Sequence, residues 1–121
     1  MGKSERKNKR LETLGLMSFI SDGKMSVLGI VEDLSVTGLR LGQVPLDFDD
    51  SVQQCNAVVH SPTGDFNMIL TTRWVEETNV GMYKSIGFQI VSSPDGWIEF
   101  VTELESGTSE IGFMILNDDG G

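Results

Sequence analysis

The apolar positions along most of this chain recur every second residue, the period of a strand with one face on a core and the other in water. Leu14, Leu16, Ser18 and Ile20 share one parity, and Ser21-Asp22-Gly23-Lys24 follows as a turn. A β-rich run spans Met25 to Val31, Glu32 to Gly38 forms a polar turn, and Leu39-Arg40-Leu41 restarts the alternation. Gly42 to Ser51 reads as a loop carrying Asp47, Asp49 and Asp50. Val52 to His60 and Phe66 to Glu76 read as strands joined by Ser61-Pro62-Thr63-Gly64-Asp65, a hairpin signal. In the second of these, Phe66, Met68, Leu70, Thr72 and Trp74 fall on one face. After a turn over Glu77 to Gly81, a last strand runs from Tyr83 to Val91 with Ile86, Phe88 and Ile90 on one face.

The period then changes. Ser93-Pro94-Asp95 has the form of a helix start, with Ser93 as N-cap. Trp97, Ile98, Val101 and Leu104 follow at helical spacing, with Glu99, Glu103 and Glu105 on the wet side. The pattern predicts a helix over about 94–105. The fold class expected is mostly β: a six-stranded antiparallel β-barrel, closed or nearly so, with a C-terminal α-helix whose Trp97 face packs on one opening. Closure removes the sheet edges that invite aggregation. Residues 1–10 lack periodicity and read as a flexible arm, 11–106 as barrel and helix, and 107–121 as a tail containing the apolar run Ile111 to Leu116.

Composition narrows the function. With 121 residues and 39% hydrophobic content, one domain with one core is expected. No run approaches the roughly 20 apolar residues of a spanning helix, so no membrane insertion is expected. Cys55 is the only cysteine, which excludes an internal disulfide framework and points to a reduced, cytoplasmic setting. The net charge of −9 is unevenly spread. The first ten residues hold five of the nine Lys and Arg residues against one acid, Glu5, leaving four bases against seventeen acids in the rest. Such a body repels polymeric nucleic acid, so a bound anion must draw its attraction mostly from the arm.

Catalytic chemistry finds little support. His60 is the only histidine and lacks partners for a triad or a histidine metal site. It reads as a strand histidine near a turn, and Cys55 as a buried apolar residue. The Asp47, Asp49, Asp50 cluster lacks the spacing of a calcium loop and reads as a solvated acidic loop. No phosphate-binding glycine motif is present, and Trp74 and Trp97 read as core. No enzyme activity, metal or cofactor is expected.

Two motifs remain. Arg6 and Arg10 form R-x-x-x-R in the arm, and a guanidinium pairs bidentately with phosphate, grips the edge of guanine and stacks on bases. Asp33-Leu34-Ser35-Val36-Thr37-Gly38 forms D-x-S-x-x-G at a turn. Its carboxylate accepts from base N–H groups, its hydroxyl meets phosphate or holds the turn, and its glycine permits close approach. In this order, and with one strand between them, the motifs resemble those of the PilZ domain family over roughly Arg6 to Glu105. Ile86-Gly87-Phe88 is similar to that family's late glycine-containing strand.

The resemblance implies a PilZ-like split barrel that binds the bacterial second messenger cyclic di-GMP. It implies Arg6 and Arg10 as clamps on guanine and phosphate, Asp33 and Ser35 as the platform reading guanine, and Gly38 as the close-approach position. Arg40, two residues past that glycine, adds a further contact, and Gly87 another. Glu5 stands where some relatives have another arginine, which disfavours a stacked ligand pair. Thr37 stands where many relatives have glycine, which stiffens the turn. The expected mechanism is closure of the arm over the ligand, altering a surface read by an unidentified protein partner. The alternatives are a PilZ-like protein–protein adaptor without nucleotide binding, and a generic barrel binding single-stranded nucleic acid.

Overall fold

The computed structural model describes residues 11–12, 15–77 and 81–106, with backbone only at 11–12. Seven strands precede one helix: β1 (Leu11–Glu12), β2 (Met17–Ser21), β3 (Ser26–Leu34), β4 (Gly38–Pro45), β5 (Cys55–Ser61), β6 (Gly64–Glu77), β7 (Tyr83–Ser92) and α1 (Trp97–Ser106). Every pairing is antiparallel, and the order β3-β2-β5-β6-β7-β4 closes through β3–β4. The predicted six-stranded barrel with its terminal helix is therefore present. The short β1 was not anticipated. It lies beside the end of β3, with Leu11 opposite Leu34 and Glu12 opposite Asp33.

The expected alternation holds where strands are regular. Leu16, Ser18 and Ile20 point inward and are buried, as are Ala57, Val59, Met68, Leu70, Ile86 and Phe88. Leu14 lies outside the described residues. Trp97, Phe100, Val101 and Leu104 of α1 join the same core, as the helical spacing predicted. Trp97 packs edge-on against Phe66, with centroids 5.3 Å apart, and its Nε1–H donates to Val36 O at 3.1 Å. The helix thus plugs the barrel and is pinned to the β3–β4 turn.

Several boundaries differ from expectation, and so does one strand face. β3 runs on to Leu34, so Glu32 and Asp33, read as turn, lie in the strand. β4 runs on to Pro45, through a segment read as loop, by way of an irregularity at Gly42 and Gln43, the latter at φ +60°. β5 begins at Cys55 rather than Val52. α1 begins at Trp97, not Pro94: Gly96 takes φ +95°, outside the helical region, and Trp97 N–H donates to Pro94 O at 3.2 Å in a preceding turn. Ser93 is therefore not the cap. Finally, β6 does not keep one face throughout, because a bulge at Arg73 shifts the register from Thr72↔Phe88 to Trp74↔Gly87. One extra residue turns every following side chain to the other face. Trp74 consequently lies outside the barrel, 40% exposed, while Trp97 is fully buried; only Trp97 is core.

The acidic segment between β4 and β5 is more than a solvated loop. Lys84 points inward from β7, donates to Phe48 O at 2.7 Å and pairs with Asp50 at 2.5 Å. Asp22 ties the β2–β3 turn to the same segment, accepting from the N–H groups of Lys24, Met25 and Asp49 at 2.8–2.9 Å. Those donors, led by Met25, hold its carboxyl down at about 2. Cys55 is buried as expected, and desolvation pushes its thiol up to about 11. His60 is the predicted strand histidine beside a turn, with Nδ1 2.9 Å from Asp65 Oδ1. No helix among the described residues is long and apolar enough to cross a membrane.

Candidate functional site

The β3–β4 turn is built by Ser35. Its Oγ accepts from the N–H groups of Thr37 (3.3 Å) and Gly38 (3.0 Å), and its own N–H donates to Gly38 O at 2.9 Å. Ser35 is buried, so of its two sequence roles the structure displays the turn-holding one. The turn is also anchored from outside, since Thr37 O accepts from Ile90 N–H and Val36 O from the Trp97 indole. A serine-built loop tied to both β7 and α1 presents its flanking strands at fixed spacing.

The strand register then assembles a row. Asp33 on β3 lies opposite Arg40 on β4, Arg40 opposite Gly87 on β7, and Gly87 opposite Trp74 on β6. Directly opposed residues share a face, so this row lies across the outside of the barrel. Two bulges create it. One falls between Val31 and Asp33 on β3, and the other is the bulge at Arg73 that turns Trp74 outward. Bulges of this kind re-aim side chains at barrel rims.

Gly87 is the low point of the row. A Cβ there would stand 2.2 Å from Trp74 Cε2, so the missing side chain is what seats the indole. The Arg40 guanidinium carbon lies 5.2 Å from the centre of the Trp74 ring, within cation–π range. Arg40 Nε is 2.7 Å from Glu32 Oε1, without the alignment of a hydrogen bond, and an Arg40 terminal nitrogen is 3.6 Å from Glu76 Oε1. Glu32 rests over Gly42 and reaches Ser85 Oγ at 3.5 Å.

Asp33, Thr37, Gly38, Arg40, Arg73, Trp74, Gly87, Phe88 and Gln89 line an open cleft of about 600 Å³. Four of the positions named from sequence, Asp33, Gly38, Arg40 and Gly87, meet in it. Ser35 supports it from beneath, and Arg6 and Arg10 lie outside the described residues. Trp74 and Arg73 were missed. Arg73 donates from Nη1 to Gln89 Oε1 at 3.1 Å. The bulge breaks the two-residue period on which the inward assignment of Trp74 rested and turns its side chain outward; Arg73 was not singled out from sequence. The cleft offers guanidinium groups, an indole face and a carboxylate, a donor set suited to a planar, hydrogen-bonding anion. Among the described residues no group of His, Cys, Asp and Glu side chains is placed to hold a metal ion.

Three solved structures share this architecture. MrkH of K. pneumoniae, in a c-di-GMP complex, aligns with TM-score 0.66 and 15% identity over 84% of this chain and 51% of that one. The inhibitor of motility MotI/DgrA of Bacillus subtilis gives 0.64 and 11%, over 79% and 47%. PlzA of Borreliella burgdorferi, in complex with c-di-GMP, gives 0.63 and 12%, over 85% and 52%. The fold is theirs. The chain spans about half the length of each. No protein-family model matches it, and no curated protein matches it in sequence.

Proposed function

We propose that this chain is a PilZ-like receptor for cyclic di-GMP, and that its N-terminal arm closes over the ligand against the Asp33–Gly38 turn. The observation that carries the reading is the pairing of β1. Leu11, the residue after Arg10, sits opposite Leu34, the residue before Ser35. The two residues that follow the arm in the chain thus pair with the end of β3, next to a cleft lined by Asp33, Gly38 and Arg40, which supports joining the two motifs in one site. The fold shared with two proteins solved with c-di-GMP supports the same reading.

In this mechanism Arg6 and Arg10 grip guanine and phosphate, Asp33 accepts from the guanine edge, and Trp74 offers a stacking face. Ordering about five residues of backbone costs roughly 5–10 kcal/mol at ~1–2 kcal/mol each. One bidentate base contact returns about 1–3 kcal/mol. Closure thus requires both arginines together with the platform. Gly38 keeps the floor of the cleft free of side chain. The output is a reshaped surface that a protein partner reads. The Trp97–Val36 hydrogen bond supplies a route for it, since a shift of the turn pulls directly on α1.

Titration calorimetry with cyclic di-GMP, and with cyclic di-AMP as the control for guanine, tests the reading. The parent is expected to bind only the guanine ligand. Arg6→Ala and Arg10→Ala are each expected to abolish most binding while the barrel stays folded. Binding by both variants at the parent's strength overturns the clamp, and Asp33→Ala with unchanged guanine preference overturns its reading role.

A further inference from the structure

An anion entering the cleft meets an arginine that already has anions. Arg40 stands in the middle of the row, yet Glu32 lies 2.7 Å from its Nε and Glu76 lies 3.6 Å from a terminal nitrogen. Arg73, at the other wall, differs: it donates to Gln89, which is neutral. The carboxylates are placed by the same irregularities that build the row. Glu32 is the residue by which β3 slips register between Val31 and Asp33, and Glu76 lies beyond the Arg73 bulge on the face of Trp74. Arg40 is thereby held with its guanidinium carbon over the Trp74 ring, 5.2 Å from the ring centre, where it obstructs a base stacking on that face.

We propose that Glu32, aided by Glu76, acts as a built-in competitor that sets the cleft's affinity and selects for phosphate-bearing ligands. The inference rests on the cyclic di-GMP reading above and adds residues that the resemblance does not assign. A phosphate displaces the carboxylates from Arg40 because it offers two oxygens to the guanidinium fork in one plane, whereas Glu32 approaches Nε off line. As Arg40 swings to phosphate, the Trp74 face is released for stacking. A neutral planar ligand cannot carry out that exchange and finds the indole covered. The groups are one-third or more exposed, so the restraint is weak enough to be exchanged and strong enough to be felt.

The test is calorimetric titration of the full chain with cyclic di-GMP, comparing the parent with Glu32→Gln and Glu77→Gln. Both variants remove one negative charge, but Glu77, an exposed residue at the end of β6, is not among the Arg40 ion partners. Glu32→Gln is expected to bind roughly two- to fivefold more tightly, the effect of freeing an exposed ion pair, and Glu77→Gln like the parent. In the ligand-free protein, Glu32→Gln is also expected to raise iodide quenching of Trp74. Trp97, fully buried, contributes a constant background. Parent binding with equal affinities for Glu32→Gln and Glu77→Gln, or weaker binding by Glu32→Gln, overturns the competitor role alone. No binding by the parent or by Glu32→Gln overturns the cyclic di-GMP reading and the competitor role with it. Binding by Glu32→Gln but not by the parent supports both.

Discussion

Lys84 and Arg40 are cations on neighbouring strands that face opposite ways. Lys84 points into the barrel, its side chain 5% exposed, with Asp50 and the Phe48 carbonyl as partners. Arg40 points out, 36% exposed, against Glu32, Glu76 and the Trp74 ring. A charge drawn out of water is held only where its partners are fixed, because releasing it costs several kcal/mol. A charge left in water loses little on changing partners. The barrel uses the first arrangement to fasten the segment between β4 and β5, and the second to keep a guanidinium exchangeable beside the cleft.

Removing each cation in turn breaks the comparison most directly. Lys84→Ala is expected to lower stability by roughly 3 kcal/mol, since it leaves Asp50 and Phe48 O without their donor. A shift in the urea midpoint measures this, and a loss under 1 kcal/mol would mean that Lys84 is as replaceable as a surface residue. Gly87→Ala comes next, at about 1–3 kcal/mol. Its methyl group displaces the indole from its seat, so Trp74 emission should move to longer wavelength. Unchanged emission would show that the seat relaxes freely.

Asp22 sharpens the structural side. Its carboxyl lies at about 2 in the fold against an ordinary 3.8. The ionised form therefore stabilises the fold above pH 3.8, and that contribution disappears as pH falls toward 2. Asp22→Asn should be less stable than the parent at pH 7, and the two should converge near pH 2 in urea titrations. A gap that persists at pH 2 would assign the effect to packing. The smallest effect belongs to Arg40→Ala, expected to change stability by less than about 1 kcal/mol. A larger loss in the same urea assay would make Arg40 a structural residue and end the contrast with Lys84.

Regular strands were legible in the sequence because burial imposes strict alternation. Leu16, Ser18 and Ile20 on β2, and Ile86 and Phe88 on β7, keep their expected face. The turn motif was legible because Ser35 acts locally, on backbone donors two and three residues away. Trp74 was not. Its side depends on one inserted residue at Arg73, and a bulge has no composition of its own by which to announce itself. The start of α1 was missed for a related reason: Ser93-Pro94 carries the signs of a cap, but Gly96 adopts a left-handed conformation and restarts the chain three residues later. Lys84 and Asp50 meet only through tertiary folding, which no local pattern encodes.

If the arm closes as proposed, the two-residue strand β1 makes it a tethered reagent. Leu11 is fixed opposite Leu34, and in the proposed mechanism the arginines that precede it in the chain are covalently joined to the turn on which they close. Under that proposal their encounter with a bound ligand is intramolecular, governed by an effective concentration in the millimolar range for so short a connection. A free peptide of residues 1–10, added to a chain lacking them, would have to reach that concentration to do the same work. Half-saturation of the intact chain should accordingly be the same at every protein concentration.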